Sequence, residues 1–404
     1  MKFFQTELKN GLTIIGEQRP TAVSSALGFF VRTGARDETP EIAGVSHFLE
    51  HMMFKGTEKR TALDINYQLG ALGAQANAYT SEEKTVYYTG ILPEYFPEGL
   101  ELFSDMLRPK LDPTEFDTEK KVILEEIALY LDRPHHIIFE AALQAHFQGH
   151  PAGNSVLGTL QSVGAVTRDQ MKTYFDARYT PANIVLVGSG NFDWNHMVEL
   201  AEKYCSHWTG GRPPRDNRPH SPTSSETVLK KDNMQRAHLC MLAPGPSMTD
   251  ESRFAAQVLS VILGDSSGSK VFWELVDKGL VDSASIDGEE MDGTGIVIAY
   301  ASVSPENIDV VEGKLRGILA DAANFTDAEL ARAITKIGTR LVLQGESSMR
   351  RLMSVGVDYL ERGEYLDIET ELKLVRAVTR KSINTLLERF PIQPTTTVRL
   401  LPEK

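Results

Sequence analysis

Apolar and polar residues alternate over residues 6–16, with Leu8, Leu12, Ile14 and Ile15 set around Asn10-Gly11. That pattern predicts a strand pair closed by a tight turn, because Asn-Gly accepts the backbone such turns need. A second apolar run at 24–33, with Ala26, Leu27, Phe29, Phe30 and Val31, predicts another strand. The period then lengthens. Thr39-Pro40-Glu41 supplies a hydroxyl cap, a proline at the first helical position and an early carboxylate, so a helix is expected from there to about Phe54, stopping near Gly56. A further helix at 62–72 ends at Gly73, and 76–92 reads as hairpin strands. Helical patterns follow at 93–108 and 114–131 and continue to about 147; 184–189 reads as a buried strand and 193–208 as an amphipathic helix.

The pattern breaks at 209–226, where Gly210-Gly211-Arg212-Pro213-Pro214 and Ser221-Pro222-Thr223-Ser224-Ser225 are turn and coil chemistry. The halves on either side are weakly alike. Thr39-Pro40-Glu41 is echoed by Thr249-Asp250-Glu251, an offset of 249 − 39 = 210. Thr114-Glu115 with its helix is echoed by Asp327-Ala328-Glu329, an offset of 329 − 115 = 214. The expectation is an α+β chain of two similar domains, 1–210 and 225–404, joined by a linker at 211–224.

Composition narrows the function classes. With Lys+Arg 42 and Asp+Glu 55, the net charge of −13 disfavours nucleic acid and anionic membranes as partners. Two cysteines, Cys205 and Cys240, exclude a disulfide framework or a cysteine-rich metal cluster. No run of about 18 apolar residues predicts a membrane span. The first residues, Met1-Lys2-Phe3-Phe4-Gln5-Thr6-Glu7, contain no apolar leader core, so a cytoplasmic location is expected, with a periplasmic one open if a leader has been removed.

The chemistry concentrates at His47-Phe48-Leu49-Glu50-His51. On a helix, positions i, i+3 and i+4 share a face, so two imidazoles can reach one metal ion with a carboxylate beside them. A third ligand must come from elsewhere. The helix around 115–131 offers Glu119, Glu125 and Glu126; Glu119 and Glu126, seven apart, lie on one face, while Glu125 points away and reads as a solvated charge. His135-His136 diverge on a helix, and Trp194, Trp208 and Trp273 read as packing residues.

These residues, with Met52-Met53-Phe54-Lys55-Gly56-Thr57, Asn77-Ala78-Tyr79-Thr80, Val122-Ile123-Leu124-Glu125-Glu126, His150-Pro151 and Gly158, resemble the pitrilysin/insulinase-type zinc peptidases, in particular their two-domain, mitochondrial-processing-peptidase-like bacterial branch. The resemblance spans nearly the whole chain. It implies a processing-peptidase-like fold, in which an antiparallel-rich sheet packs against helices in each domain. It also implies a zinc metalloendopeptidase, with one zinc per chain on His47, His51 and Glu126. Glu126 follows the second histidine at the family's spacing, residues 52 to 125 intervening. Glu50 is then the general acid–base, and Glu119 orients a ligating histidine. Asn77, Ala78 and Tyr79 form an edge strand that pairs with extended peptide. Substrates would be peptides or unfolded segments held in a chamber. An acidic chamber wall would favour cationic ones.

The second half departs from this pattern. At the offsets above, His47, Glu50 and His51 correspond to Gln257, Ser260 and Val261, and Glu126 to Arg340, so no second metal site is expected. The family carries an Arg and a Tyr, seven apart, in the second domain. The matching stretch, Phe272 to Ser283, keeps Gly279-Leu280 but has no Arg, and Asp282 stands where Tyr is expected. Arg350 or Arg351 with Tyr359 has the wrong spacing and reads as surface charge. The resemblance therefore implies a dimer in which this chain is the zinc-bearing subunit and a similar chain supplies the Arg/Tyr pair. A homodimeric peptidase, or a non-catalytic structural subunit of the same fold, is the alternative.

Overall fold

The computed structural model describes residues 1–403. Among these residues eleven strands form two sheets. The first contains β1 (Lys2–Glu7), β2 (Thr13–Gln18), β3 (Ser25–Val31), β4 (Gln75–Thr80), β5 (Thr85–Ile91) and β6 (Ile184–Gly190), in the order β1-β2-β6-β3-β5-β4. The second contains β7 (Ser225–Lys231), β8 (Ala237–Pro244), β9 (Ser283–Met291), β10 (Thr294–Val303) and β11 (Thr396–Pro402), in the order β7-β11-β8-β10-β9. Among the helices of the first half are α1 (Val45–Met52), α2 (Ala62–Ala71), α3 (Phe96–Met106), α4 (Pro113–Leu131), α5 (Pro134–His146), α6 (Leu160–Ala165), α7 (Arg168–Arg178) and α8 (Trp194–Cys205). Those of the second are α9 (Arg253–Gly264), α10 (Ile308–Ala320), α11 (Asp327–Gly345), α12 (Ser348–Arg362), α13 (Ile368–Arg376) and α14 (Arg380–Arg389).

The sheets repeat one another. In the first, β2 runs parallel to β6, and β6, β3, β5 and β4 follow antiparallel. In the second, β7 runs parallel to β11, and β11, β8, β10 and β9 follow antiparallel. The matched strands begin at a constant offset of 212 in three cases (225 − 13, 237 − 25, 396 − 184). The α+β expectation of two similar sheet-and-helix domains holds, and β1 is the strand without a counterpart.

The compact units draw on both sides of the 209–224 coil. One comprises residues 1–128, 154–216 and 343–366; the other comprises 129–153, 217–342 and the chain from 367 on. The crossing pieces are equivalent helices. In the first unit α12 lies on β3 and β6, with Leu352, Val355 and Leu360 buried against Ile15, Ala26, Phe30, Val185 and Val187. In the second, α5 lies on β8 and β11, with Ile138 and Ala142 buried against Cys240, Leu242, Val398 and Leu400. These strands are apolar on both faces: every residue of β3 and β6 is buried. A strand of that kind needs cover on both sides, and each repeat obtains one cover from the other half of the sequence. Each large side chain so buried contributes about 1.5–3 kcal/mol.

Three sequence expectations are corrected. The helix expected from Thr39 begins at Val45, because Gly44 adopts a left-handed φ of 90° and 40–42 form a separate single turn. Arg351 is not a surface charge: it is 4% exposed and grips Glu17, 2% exposed, with Nε–Oε1 2.9 Å and Nη2–Oε2 2.5 Å, while Tyr365 donates to the same carboxylate at 2.7 Å. Trp273 is half exposed rather than packed.

Candidate metal centre

The centre is built on α1, α4 and the edge strand β4. α1 is short, and its start is fixed from outside. Glu38, buried, accepts the N–H groups of Gly44 at 2.6 Å and Ser46 at 2.7 Å, filling the role of an N-cap from six residues upstream. Burial pushes its carboxyl up to about 8, against the opposing hydrogen bonds from Ser46 and Gly44. Gly44 has no alternative: a Cβ there would lie 2.5 Å from the Leu157 carbonyl oxygen. Gly158 faces the same junction, where a Cβ would lie 2.3 Å from the Ala43 oxygen, which gives a physical reason for a glycine at that position.

From this start α1 presents His47, Glu50 and His51 along one face. His51 Nε2 is 3.6 Å and His47 Nε2 3.9 Å from Glu126 Oε2 on α4. The three ligand atoms lie within 4.8 Å of one another, the one such group of three among the described residues. Both separations from Glu126 are under twice the zinc–ligand distance of about 2.0–2.1 Å. Burial, and secondarily the neighbouring His51, pushes the His47 imidazole down to about 4, so it is the neutral, metal-binding form at pH 7. The 3.9 Å contact with Glu126 is therefore not an ion pair. Two imidazole nitrogens and a carboxylate oxygen around one point form a donor set that suits zinc.

Glu119 supports His51 from behind. Its Oε1 is 2.8 Å from His51 Nδ1, and its Oε2 takes Lys55 Nζ at 2.6 Å. Burial alone would lower the His51 pKa, but the Glu119 hydrogen bond and the charges of Glu50, Glu119 and Glu126 outweigh it and raise it. Burial likewise works against Glu119 ionisation, yet its hydrogen bonds to His51 and Lys55 hold its carboxyl below the usual value. A carboxylate fixing one ring nitrogen turns the other towards a metal. Glu125, one residue from Glu126, is exposed.

Glu50 is largely buried, and burial raises its carboxyl, opposed by a hydrogen bond from Thr80 Oγ1 to Oε2 at 2.6 Å and by His51. Thr80 ends β4, the terminal strand of its sheet. The Ser81 N–H to Lys84 carbonyl bond of 2.8 Å sets the hairpin phase: Gln75, Asn77 and Tyr79 bond to β5, and Ala76, Ala78 and Thr80 turn their main-chain groups to the open edge. Of the expected substrate-strand residues, Asn77 turns its Oδ1 to the Ala78 N–H at 2.9 Å. Tyr79 packs on the sheet face opposite the Thr80 side chain, beside Tyr88 and against the α12 cluster.

Several supports went unread in the sequence. Lys55, four residues after His51, carried a visible spacing signal. Thr80 carried none beyond its place next to Tyr79. The Glu38–Ser46–Tyr174–Thr33 network, with Tyr174 Oη 2.7 Å from Ser46 Oγ and 2.8 Å from Thr33 Oγ1, joins residues up to 141 positions apart. In the second half, α9 carries no histidine, aspartate or glutamate, and Arg340, expected opposite Glu126, pairs with Asp265 at 2.6 Å. Asp282, in the stretch matching the family's Arg/Tyr segment, accepts from Arg236 at 2.7 Å.

The fold is shared with solved structures. A protease from Helicobacter pylori matches with a TM-score of 0.92 at 22% identity over 99% of both chains. A chain of complex III2 from Candida albicans matches with a TM-score of 0.85 at 18% identity, over 98% of this chain and 95% of that one. In sequence, the insulinase (peptidase family M16) model matches residues 13–160 and the peptidase M16 inactive domain model residues 165–337. An "uncharacterized zinc protease" of Mycobacterium leprae is 32% identical over 394 residues, 96% of this chain and 88% of that protein. The "uncharacterized zinc protease YmxG" of Bacillus subtilis is 30% identical over 386 residues, 95% and 94% of the two chains. The chain belongs to the insulinase family, peptidase family M16.

Proposed function

We propose that this chain is a zinc metalloendopeptidase that hydrolyses extended peptides or unfolded segments, with one zinc held by His47, His51 and Glu126. The observation that carries this reading is the convergence of both Nε2 atoms and Glu126 Oε2 beside Glu50. A zinc ion held by His47, His51 and Glu126 would supply Lewis acidity, for deprotonation of a water near neutral pH and for polarisation of the scissile carbonyl. Glu50 accepts the proton of the attacking water and returns it to the leaving amine nitrogen. Glu119 holds the His51 ring. The open edge of β4, with Asn77, Ala78 and Tyr79 at its centre, adds the substrate as a further strand, and of these three it is Ala78 whose main-chain groups face that strand.

The test is metal content and peptide cleavage by the purified chain beside Glu50→Gln. The expected result is about one zinc per chain in both proteins and cleavage lost by at least about a hundredfold in the variant. Zinc-loaded protein whose cleavage matches that of the variant both alone and together with a co-purified partner subunit would reject the peptidase reading in favour of a structural subunit of the same fold.

The partner reading rests on Phe272–Ser283, which has neither Arg nor Tyr. A similar subunit would supply both, completing the chamber and stabilising the oxyanion. Co-purification from the source cell should recover such a chain in equal amount; a fully active homodimer would overturn it. The net charge of −13 favours cationic peptides, whose cleavage should fall with added salt while that of neutral peptides does not.

A further inference from the structure

Thr80 lies on the edge strand along which substrate is proposed to pair, and its side chain touches Glu50, the proposed base. Its Oγ1 is 2.6 Å from Glu50 Oε2 and 3.5 Å from Thr85 Oγ1. A threonine hydroxyl has a single proton. Thr85, its cross-strand partner, sends its own hydroxyl proton to the Thr33 carbonyl at 2.9 Å. Thr80 therefore gives its proton to Glu50 over the shorter path. A neutral donor to a carboxylate at that distance is a strong hydrogen bond. It occupies Oε2 and leaves Oε1 as the oxygen that can face a water.

The main-chain groups of Thr80 belong to the open edge of β4, in phase with Ala76 and Ala78. Strand pairing at that edge and orientation of the base thus meet in one residue. Thr80 is also braced from behind, because Thr85 is fully buried and tied to the end of β3. Among the described residues, the hydroxyl's one partner at a good hydrogen-bonding distance is Glu50.

We propose that Thr80 is a positioning residue that locks the Glu50 carboxylate for proton transfer and couples it to the substrate-bearing edge strand. The inference rests on the peptidase reading above. Thr80→Val keeps the shape and the strand preference and removes the donor. Thr80→Ser keeps the donor. With full-length zinc-loaded protein, assayed with its co-purified partner subunit, and an internally quenched, unstructured peptide, Thr80→Val should lower kcat about 10–100-fold, as expected when a catalytic group is misplaced by about 1 Å. KM should stay within about twofold. Zinc affinity should be unchanged, and Thr80→Ser should restore most of the rate. A kcat equal to wild type in Thr80→Val, or no rescue by Ser, would overturn the proposal. Crystal structures of wild type and Thr80→Val give the second measurement. Glu50 should hold one orientation in the first and turn away or split in the second; an unmoved carboxylate overturns the proposal whether or not the peptide is cleaved. Failure of the peptidase reading itself looks different: wild-type protein would then cleave no more than Glu50→Gln.

Discussion

Glu38 decides much of the site without touching it. Its carboxyl, raised to about 8 from an ordinary 4.5, faces Ser46, Gly44, Asp37 and the Tyr174 hydroxyl. Between those two pH values the folded chain keeps a proton that the unfolded chain has released, so stability is greatest below about 4.5 and is lost as pH rises through about 8. Urea unfolding of wild type and Glu38→Gln at pH 5 and pH 8 should show the wild type losing on the order of a few kcal/mol more than the variant across that interval. Equal slopes would mean that Glu38 is ionised in the folded chain. At this scale the sequence was most legible where spacing on one helix carries the meaning, as for His47, Glu50 and His51. It was silent where the partner is distant in sequence: nothing near Glu38 marks it as the cap of α1.

At the scale of elements, periodicity located β3, β6, α2 and α8 closely, because each has a marked apolar pattern and clear end signals: Gly73 at φ 58° after α2 and Asp193 accepting the His196 N–H at 2.8 Å before α8. It misjudged α1, whose apolar pattern runs upstream through residues that the left-handed Gly44 detaches. α12 was read for its charges, yet its buried guanidinium fastens it to β2. Truncating Arg351 would strand Glu17 in the core, so Arg351→Met should cost about 3–5 kcal/mol in chemical unfolding. The replacement of both partners, Arg351→Met with Glu17→Gln, should recover part of that loss. A loss under about 1 kcal/mol in the single variant would show that the pair adds little.

For the whole molecule, the exchange of α5 and α12 makes the halves interdependent. A chain of residues 1–216 would leave Ile15, Ala26, Phe30, Val185 and Val187 without the cover of Leu352, Val355 and Leu360. It should expose apolar surface, bind a hydrophobic dye and lack sharp near-ultraviolet dichroism, whereas a stable, monomeric, cooperatively unfolding 1–216 would refute the interdependence. Among the described residues, the duplicated design carries its candidate metal cluster in the first repeat alone. The second sheet repeats the first strand by strand, but α9 carries no imidazole or carboxylate at the ligand positions. Among the described residues, no helix is long and apolar enough to cross a membrane.

The sequence by itself determined the α+β class, the repeat, and the pattern of two histidines and a glutamate on one helix face, because local periodicity and fixed spacings are properties of the chain alone. The tertiary structure decided what no spacing records. It brought Glu126 to the imidazoles across 75 residues of chain (126 − 51) and put the Thr80 hydroxyl on Glu50. It set Glu38 under α1 and gave each sheet a helix from the opposite half. Those contacts exist because buried polar groups must find partners and two-sided strands must be covered, wherever in the sequence the partner lies.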